Sequence, residues 1–535
     1  MPLRSRPLRL SLAASLLWLC PASLAAATLL VPTDFPTIQM AIDAALPGDV
    51  VEVAPGVFVE NLDLLGKAIT LRGAGIDETV IDGSAATFGV NNASVIRCES
   101  GETEETIIED VTLTGGTGSL RPAVINAPIG GGIMILDAVP TIRRVRVTDC
   151  ITNGASGLWA QMDPGTTWSL SDCQFDSNLA NRGTVIVDGG SNLLVERCRF
   201  EDNIGGLAGA GAHLHFDHVV VRECEFLENN VSAILGVGGG LALMHPNFAG
   251  ADIETALIED CLFQENVSPL LGAAIVSQAD DLTVRRTHFI ANDSPDLGVV
   301  FSEGATRIEN CFSFGTESPD GVLIGLLNGE VDPLTIDHCT FAGENALAIA
   351  RQNGHPITIT NTIVWGNSSL DLFEVGGGPA ATQVEYSCIE GGFPGVGNIA
   401  LDPLFVDLAG GDLRLQPDSP CVDAGDPTAP LDFDGSATDM GAFPFASLFR
   451  RGDANQDGGV HVADAVAILG FLLFGDAPLS CEAAADANDS GQIDLADPIY
   501  TLNRLFQNGP DFPAPTIDCG PDPTLDLSCA LPGGC

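Results

Sequence analysis

Val221-Arg-Glu-Cys-Glu-Phe-Leu-Glu-Asn229 is the phrase on which this chain turns: an aliphatic residue, Cys three places on, Phe two further, and Asn three beyond. Val195 to Asn203 (V-E-R-C-R-F-E-D-N), Ile258 to Asn266 (I-E-D-C-L-F-Q-E-N) and Val284 to Asn292 (V-R-R-T-H-F-I-A-N) repeat it, the last with Thr287 in place of Cys. Looser copies run from Val147 to Asn153, Leu170 to Asn178, Ile308 to Phe314, Ile336 to Asn345 and Ile359 to Asn367. The Cys-equivalent positions are 150, 173, 198, 224, 261, 287, 311, 339 and 362, so most steps are 22 to 28 residues.

A fixed period of this size, built from short β-prone runs broken by Gly, Asn and Asp, predicts a solenoid in which each repeat buries its apolar face only against its neighbours. Cys and Phe two apart point to the same side of a strand and the residue between them points away. Stacked coils ~4.8 Å apart then align a Cys column beside a Phe column, each buried Phe contributing roughly 2–3 kcal/mol. Gly-rich strand starts at Gly130-Gly-Gly-Ile-Met-Ile135 and Gly238-Gly-Gly-Leu-Ala-Leu243 supply further inward rows and tight corners.

On this repeat the chain resembles the right-handed parallel β-helix proteins of the pectin-lyase-like superfamily, over about Thr28 to Phe445. The resemblance implies a mainly β solenoid. It leaves the chemistry open, because that fold hosts lyases, hydrolases, esterases, tail spikes and adhesins alike.

Before the repeats, Arg4, Arg6 and Arg9 precede an apolar run from Leu10 to Leu19, and Ala25-Ala-Ala27 offers small-residue cleavage sites. This predicts a secretory leader over 1–27, its apolar run too short to span a bilayer. Residues 38, 41, 42 and 45 are apolar at helical spacing, which predicts a cap helix over the first coil, as in similar bacterial β-helix proteins. The first coils follow at Asp49 to Val53, Ala68 to Arg72 and Thr79 to Ile81. The segment from Asp402 through Ser419-Pro-Cys-Val-Asp-Ala-Gly425 to Phe443 resembles the closing segment of that class.

The chain carries 71 acidic against 22 basic residues, net −49, and Lys67 is its only lysine. Such a balance argues against nucleic acid as a partner, since phosphate neutralisation needs Lys and Arg. No later segment is long and apolar enough to predict a membrane span. Of the fifteen cysteines, most fall at the repeated inward position, where the coil spacing exceeds the roughly 3.8 Å Cβ separation a disulfide prefers. They are expected as buried free thiols, with occasional rung-to-rung bridges as the alternative. Cys481, Cys519, Cys529 and Cys535 lie outside the ladder and are the better disulfide candidates in an exported protein.

After a linker at 446–450 the wording changes. Asp453-Ala-Asn455-Gln-Asp457-Gly458-Gly-Val-His-Val-Ala-Asp464 puts oxygen side chains at loop positions 1, 3, 5 and 12 and Gly at 6, the arrangement with which one tight loop gathers the six to eight oxygens of calcium. Asp486-Ala-Asn488-Asp-Ser490-Gly491-Gln-Ile-Asp494-Leu-Ala-Asp497 repeats it. Each loop is expected to open an amphipathic helix, packing through Val466, Leu469 and Leu473 in one and Ile499, Leu502 and Phe506 in the other, with Gly475 and Gly509 ending them. Residues 451–512 thereby resemble a type I dockerin, a small α-helical domain followed here by a Cys/Pro-rich tail over 513–535. The resemblance implies calcium ligands at Asp453, Asn455, Asp457 and Asp464, then Asp486, Asn488, Ser490, Asp494 and Asp497, with the carbonyls of Gly459 and Gln492, and a cohesin-like or other cell-surface protein as partner. His461 stands where the first loop would carry an oxygen at position 9, Ser490 replaces the usual Asp, and Val462-Ala463 and Leu495-Ala496 replace the common partner-selecting hydroxyl pairs.

Candidates for catalysis are sparse. His213-Leu-His215, with His218 nearby, places two imidazoles on one strand face and could hold zinc, though no carboxylate is fixed beside them in the sequence. Asp280-Asp281 resembles the paired carboxylates of β-helix galacturonases, but a polar turn accounts for it. Arg143-Arg144 and Arg285-Arg286 could serve a polysaccharide lyase, yet Asp149, Asp172, Glu223 and Asp260 on neighbouring coils offer them charge partners. The expectation is a secreted, calcium-binding β-helix protein that binds or degrades a polysaccharide, as a lyase or hydrolase of uronide-type polymers if it is an enzyme. The alternative is a non-catalytic adhesin or surface structural protein.

Overall fold

The computed structural model describes residues 26–85, 92–122, 124–245, 253–294, 298–315, 322–326, 333–343, 347–352, 356–367, 370–375, 382–432, 436–445, 449–474, 479, 481–507 and 509–515. The leader, apart from its last two residues, and Gly475, Cys519, Cys529 and Cys535 lie outside them.

A short helix, α1 (Ile38–Ala44), covers the first coil and buries Ile38, Ala41 and Ile42 against it. The Thr37 hydroxyl caps its start by accepting the Met40 amide at 3.2 Å. Lys67, the only lysine, donates to the carbonyls of Ile42, Asp43 and Ala45 at 2.8, 2.8 and 3.0 Å and satisfies the other end.

From there the chain winds as a parallel β-solenoid. One coil reads Asn192–Glu196, a corner, Arg199–Glu201, a second corner at Asn203, and Ala212–His215 after an excursion. The next coil lies on it in register: Val195 on Val221, Phe200 on Phe226, Leu214 on Leu243. The first two strands of each coil join a 25-stranded sheet and the third a separate 12-stranded sheet. Inward side chains form one continuous core along the axis.

The Phe column is a stack of rings, Phe175, Phe200, Phe226, Phe263 and Phe289, with successive centroids 4.7–5.5 Å apart. The Cys column sits at the corner between the two strands of the large sheet. Ten cysteines from Cys98 to Cys421 are buried and unbridged, and burial pushes the Cys150 thiol up to about 12. They are more than apolar filler. Six of the thiols, those of Cys173, Cys198, Cys224, Cys261, Cys311 and Cys339, reach the carbonyl two residues back, as Cys198 does to Glu196 at 3.3 Å, and the Cys198 amide donates to the Cys224 sulfur at 3.4 Å. The position therefore requires a side chain that donates backward and accepts from the coil before. Thr287 does both, donating to the Arg285 carbonyl at 3.0 Å and accepting from the Cys261 amide at 3.5 Å, which is why it can replace Cys.

The second corner carries an asparagine ladder. Asn178, Asn203, Asn229, Asn266 and Asn292 are buried, and each of the first four amides donates to the next one's carbonyl oxygen at 3.0–3.2 Å. The residue before each ladder Cys or Asn takes a positive φ, from Asp172 (55°) and Ser177 (54°) through Glu223 and Glu228 (both 53°) to Ala291 (52°). That turn lets both corners bend within one residue.

The segment from 402 to 445 folds back along the side of the last coils. Its Phe405, Leu413, Leu415, Cys421 and Met440 pack on Phe312, Ile363 and Cys388, and the Phe443 ring reaches Phe312, centroids 5.0 Å apart. Beyond it stand α2 (Val462–Phe474), α3 (Glu482–Ala485) and α4 (Ala496–Gln507). Cys481 begins α3 and is disulfide-bonded. No helix among the described residues is long and apolar enough to cross a membrane.

Candidate functional site

Three surfaces hold the chemistry: the outer face of the large sheet, the end of the smaller sheet, and the paired C-terminal loops.

On the large sheet, parallel stacking turns one outward strand position into a column. Arg72, Glu109, Arg143, Ser171, Glu196, Arg222, Glu259, Arg285 and Glu309 are successive register partners. Opposite charges alternate along most of it, so each arginine meets a carboxylate. Arg143 and Arg144 both pair with Glu109 at 2.8 Å, and Arg144 also with Asp110 at 2.7 Å. Arg285 and Arg286 bind Glu259 at 2.6 and 3.0 Å, and Arg286 binds Asp260 at 2.7 Å. Guanidinium contacts hold Glu109, Glu196 and Asp260 below the usual carboxylate range. The four arginines considered for lyase chemistry are thus tied up in cross-coil pairs. Asp280 and Asp281 are exposed at a strand start, a polar turn.

Beside this column runs a shallow groove of about 480 Å³, lined by Glu104, Pro140, Trp168, Asn192, His218 and Arg222 among others. Thr167, Asn192 and His218 in its lining begin a polar row that continues on the next coils through Thr255 and Asp281, beyond the groove itself. His218 faces Thr255 at 3.0 Å and Glu254 at 3.7 Å.

The fold does not assemble His213, His215 and His218 into one site, and it does fix a carboxylate beside His215, which the sequence did not show. His213 is 3% exposed. Its ring contacts the Met244 carbonyl at 2.9 Å, and burial pushes its pKa down to about 4. His215 stacks in register on Asp188, one coil earlier, with Nδ1 2.8 Å from Oδ1. On its other side the His245 ring meets it edge-on, centroids 4.7 Å apart. His218 belongs to the other sheet. Among the described residues, Asp188, His215 and His245 are the one group of His, Cys, Asp and Glu whose ligand atoms all lie within 4.8 Å of one another. The same row continues through Gln161 before Asp188 and through Gln278 and Glu303 after it, the last two hydrogen-bonded at 3.2 Å.

In the C-terminal loops the structure arranges the calcium-type residues as a matched pair, although their carboxylates do not form a group of that close spacing. Asp453 accepts the amides of Asp457 and Gly458 at 3.1 and 2.9 Å, and Asp486 those of Ser490 and Gly491 at 3.0 and 2.7 Å. At the far ends Asp464 accepts from Asn455 and His461, and Asp497 from Asn488 and Asp494. Gly458 and Gly491 take φ of +88° and +77° at the turn. His461 does occupy the ninth position, its ring 3.2 Å from both Asp457 and Asp464. Ser490 turns its hydroxyl to the Gln492 carbonyl at 3.2 Å. Burial and the neighbouring carboxylates raise Asp453 and Asp497 above the usual range. Asp464, Asp486 and Asp497 are fully buried. Buried carboxylates crowded together are what a bound divalent ion would relieve, so the residues fit calcium.

The helices after these loops pack differently from the sequence expectation. Val466 and Leu473 on α2 and Ile499 and Phe506 on α4 are 56–70% exposed. The buried contacts come from Ala465, Ile468, Pro498 and Thr501. The long apolar side chains face solvent because the loops and α3 already fill the interior with Ala454, Ala484 and Ala485.

No curated protein matches this chain. Among solved structures it is similar to a pectate lyase (15% identity, TM-score 0.34, covering 76% of this chain and 90% of that one). It is also similar to the A-module of a mannuronan C-5 epimerase from Azotobacter vinelandii (15%, 0.35, 68% and 94%) and to a polygalacturonase from Erwinia carotovora ssp. carotovora (12%, 0.33, 67% and 96%). The family model for the right handed beta helix region matches residues 94–289 and 161–323, and the fold is a right-handed parallel β-helix.

Proposed function

We propose that this is an exported protein whose β-helix binds a polysaccharide along the groove of its large sheet and whose C-terminal module, folded around two calcium ions, docks it to a protein partner at the cell surface. The observation that carries the reading is the polar row Thr167, Asn192, His218, Thr255 and Asp281. A linear polymer laid along the axis would meet a hydrogen-bonding side chain at every coil, at a pitch of ~4.8 Å. The pairing of Arg143, Arg144, Arg285 and Arg286 favours binding over lyase chemistry on this face. For the module, the supporting feature is an exposed apolar set: Val462, Val466 and Leu473 on α2, Leu495 just before α4, and Ile499 and Phe506 on α4. Exposed apolar side chains in this number on so small a unit are the mark of an interaction surface, here one suited to a cohesin-like partner.

The test is retention of the full chain on immobilised neutral and acidic polysaccharides, with and without calcium, while scoring new reducing or unsaturated ends. Retention on at least one polymer, reduced tenfold or more in the Asn192→Ala/His218→Ala double variant, is the expected result. No retention, or retention untouched by the double variant, overturns the binding assignment, and new chain ends would turn it into an enzyme.

A further inference from the structure

We propose that Asp188, His215 and His245 form a binding site for a divalent transition metal of the zinc class, on the smaller sheet and separate from the calcium-type loops. Three successive coils supply one ligand each, and the sequence distances between them, 27 and 30 residues, are set by the coil period together with the excursions. The ligand atoms lie within 4.8 Å of one another, close enough for one ion to bridge after small side-chain rotations. Two imidazoles and a carboxylate are the donor set that borderline-soft zinc prefers, and three protein ligands leave a fourth position for water.

The surroundings separate this cluster from an ordinary satisfied histidine pair. His215 contacts Asp188 through Nδ1 at 2.8 Å, while its Nε2 is buried with no hydrogen-bond partner. Oδ1 and Nδ1 face each other across the gap an ion would enter, displacing the proton they share, and no partner on Nε2 resists the small ring rotation this needs. The side chains of His215 and Asp188 are 12% and 23% exposed, so an ion has an entry path from solvent. Each ligand follows a buried apolar residue, Val187, Leu214 and Met244, so the cluster rises from an apolar shell. In such a shell the neutral nitrogens and the single carboxylate favour a divalent transition metal over calcium, which needs six or more oxygens.

The experiment uses the full chain in excess calcium, which saturates the oxygen-rich loops, with zinc and cobalt(II) as probes. Equilibrium dialysis should give a single tightly held zinc per chain. His215→Ala, His245→Ala and Asp188→Asn should each weaken it at least tenfold, as the loss of a ligand does, whereas the exposed His218→Ala should leave it unchanged. Cobalt(II) in the wild-type chain should give the intense visible bands of a low-coordinate nitrogen-containing site, a readout that needs no variant to fold. Absence of zinc binding in excess calcium, zinc binding that survives both histidine variants, or the weak bands of an all-oxygen octahedral cobalt site would each overturn the proposal. Polysaccharide retention is scored separately, so failure of the groove reading and failure of the metal site are distinguishable.

Discussion

The Arg451 guanidinium meets the Asp489 carboxylate at 2.8 Å in complete isolation from solvent on its own side, with Arg451 0% exposed. The same side chain donates to the carbonyls of Ala483, Asp486 and Ala514 at 3.0–3.1 Å and lies over the Phe449 ring. One residue at the entry of the first loop thus fastens the second loop and the end of the module. Removing one partner of a buried pair leaves the other charged and unsolvated, at about 3–5 kcal/mol. Arg451→Ala should therefore unfold the C-terminal module at a lower temperature while the β-helix transition stays in place. Calorimetry of the full chain in calcium, resolving the two transitions, checks this.

Asn229 holds two coils together through one amide. It donates to the Phe200 carbonyl at 2.9 Å and to Asn266 at 3.0 Å, and accepts from Asn203. Asn229→Ala strands several buried groups at once, each worth about 1–3 kcal/mol. A loss of about 3 kcal/mol is expected, and Asn229→Asp should be worse, because it removes both donors and buries a charge. Urea titration of the intact chain gives both values.

Phe226 lies between Phe200 and Phe263 with both centroid distances at 4.7 Å. Phe226→Ala should cost about 3–5 kcal/mol, as expected for an unfilled core cavity, and Phe226→Leu about 1 kcal/mol. A loss for Phe226→Ala no greater than that for Phe226→Leu would mean that the stack closes over the gap.

These columns were legible in the sequence because a parallel solenoid converts repetition into contact: once Phe200 and Phe226 share a phrase, register places one on the other. The same rule foretold that Arg286 meets Asp260, but the partners of Arg285, Arg143 and Arg144 are Glu259, Glu109 and Asp110 rather than Glu223, Asp149 and Asp172. It did not reach Asp188 or His245. Asp188 closes Val185-Ile-Val-Asp188, a strand outside the Cys-Phe phrase, and His245 follows Leu241–Leu243, so neither carries a motif that aligns it with His215. The excursions between coils vary in length and hide the offset. In the C-terminal module, the turn glycines and Asp spacing were readable from local chemistry. The packing of α2 and α4 was not, because helical periodicity alone cannot tell an apolar stripe that faces a core from one left open for a partner.

Asp439 gives the side-packed closing segment a pH dependence. It is 2% exposed, accepts the Asp423 amide at 2.7 Å, and has Asp432 and Asp423 as like-charged neighbours. Burial pushes its pKa up to about 6, above the ~3.9 of an unfolded Asp. Between those values the folded chain holds the extra proton, so the stability this group contributes is full below about pH 4 and is lost as pH rises through about 6. Protease resistance of the 402–445 segment should fall from pH 5 to pH 7, and Asp439→Asn should flatten that slope.

The paired loops predict a selective response to chelation. Asp464, Asp486 and Asp497 are all buried, and Asp497 is crowded by Asp486. Without a cation these carboxylates repel one another in a small unit whose interior is mostly alanine and whose larger apolar side chains face outward. Metal binding and folding should therefore be coupled there, whereas the β-helix draws its stability from rung-to-rung packing. Addition of a calcium chelator should open residues 451–512 to protease and remove their helical circular dichroism, leaving the β-sheet signal unchanged. An isolated 451–515 segment that keeps its helicity and protease resistance in chelator would show that the loops hold their shape through the Asp453 and Asp486 amide contacts alone.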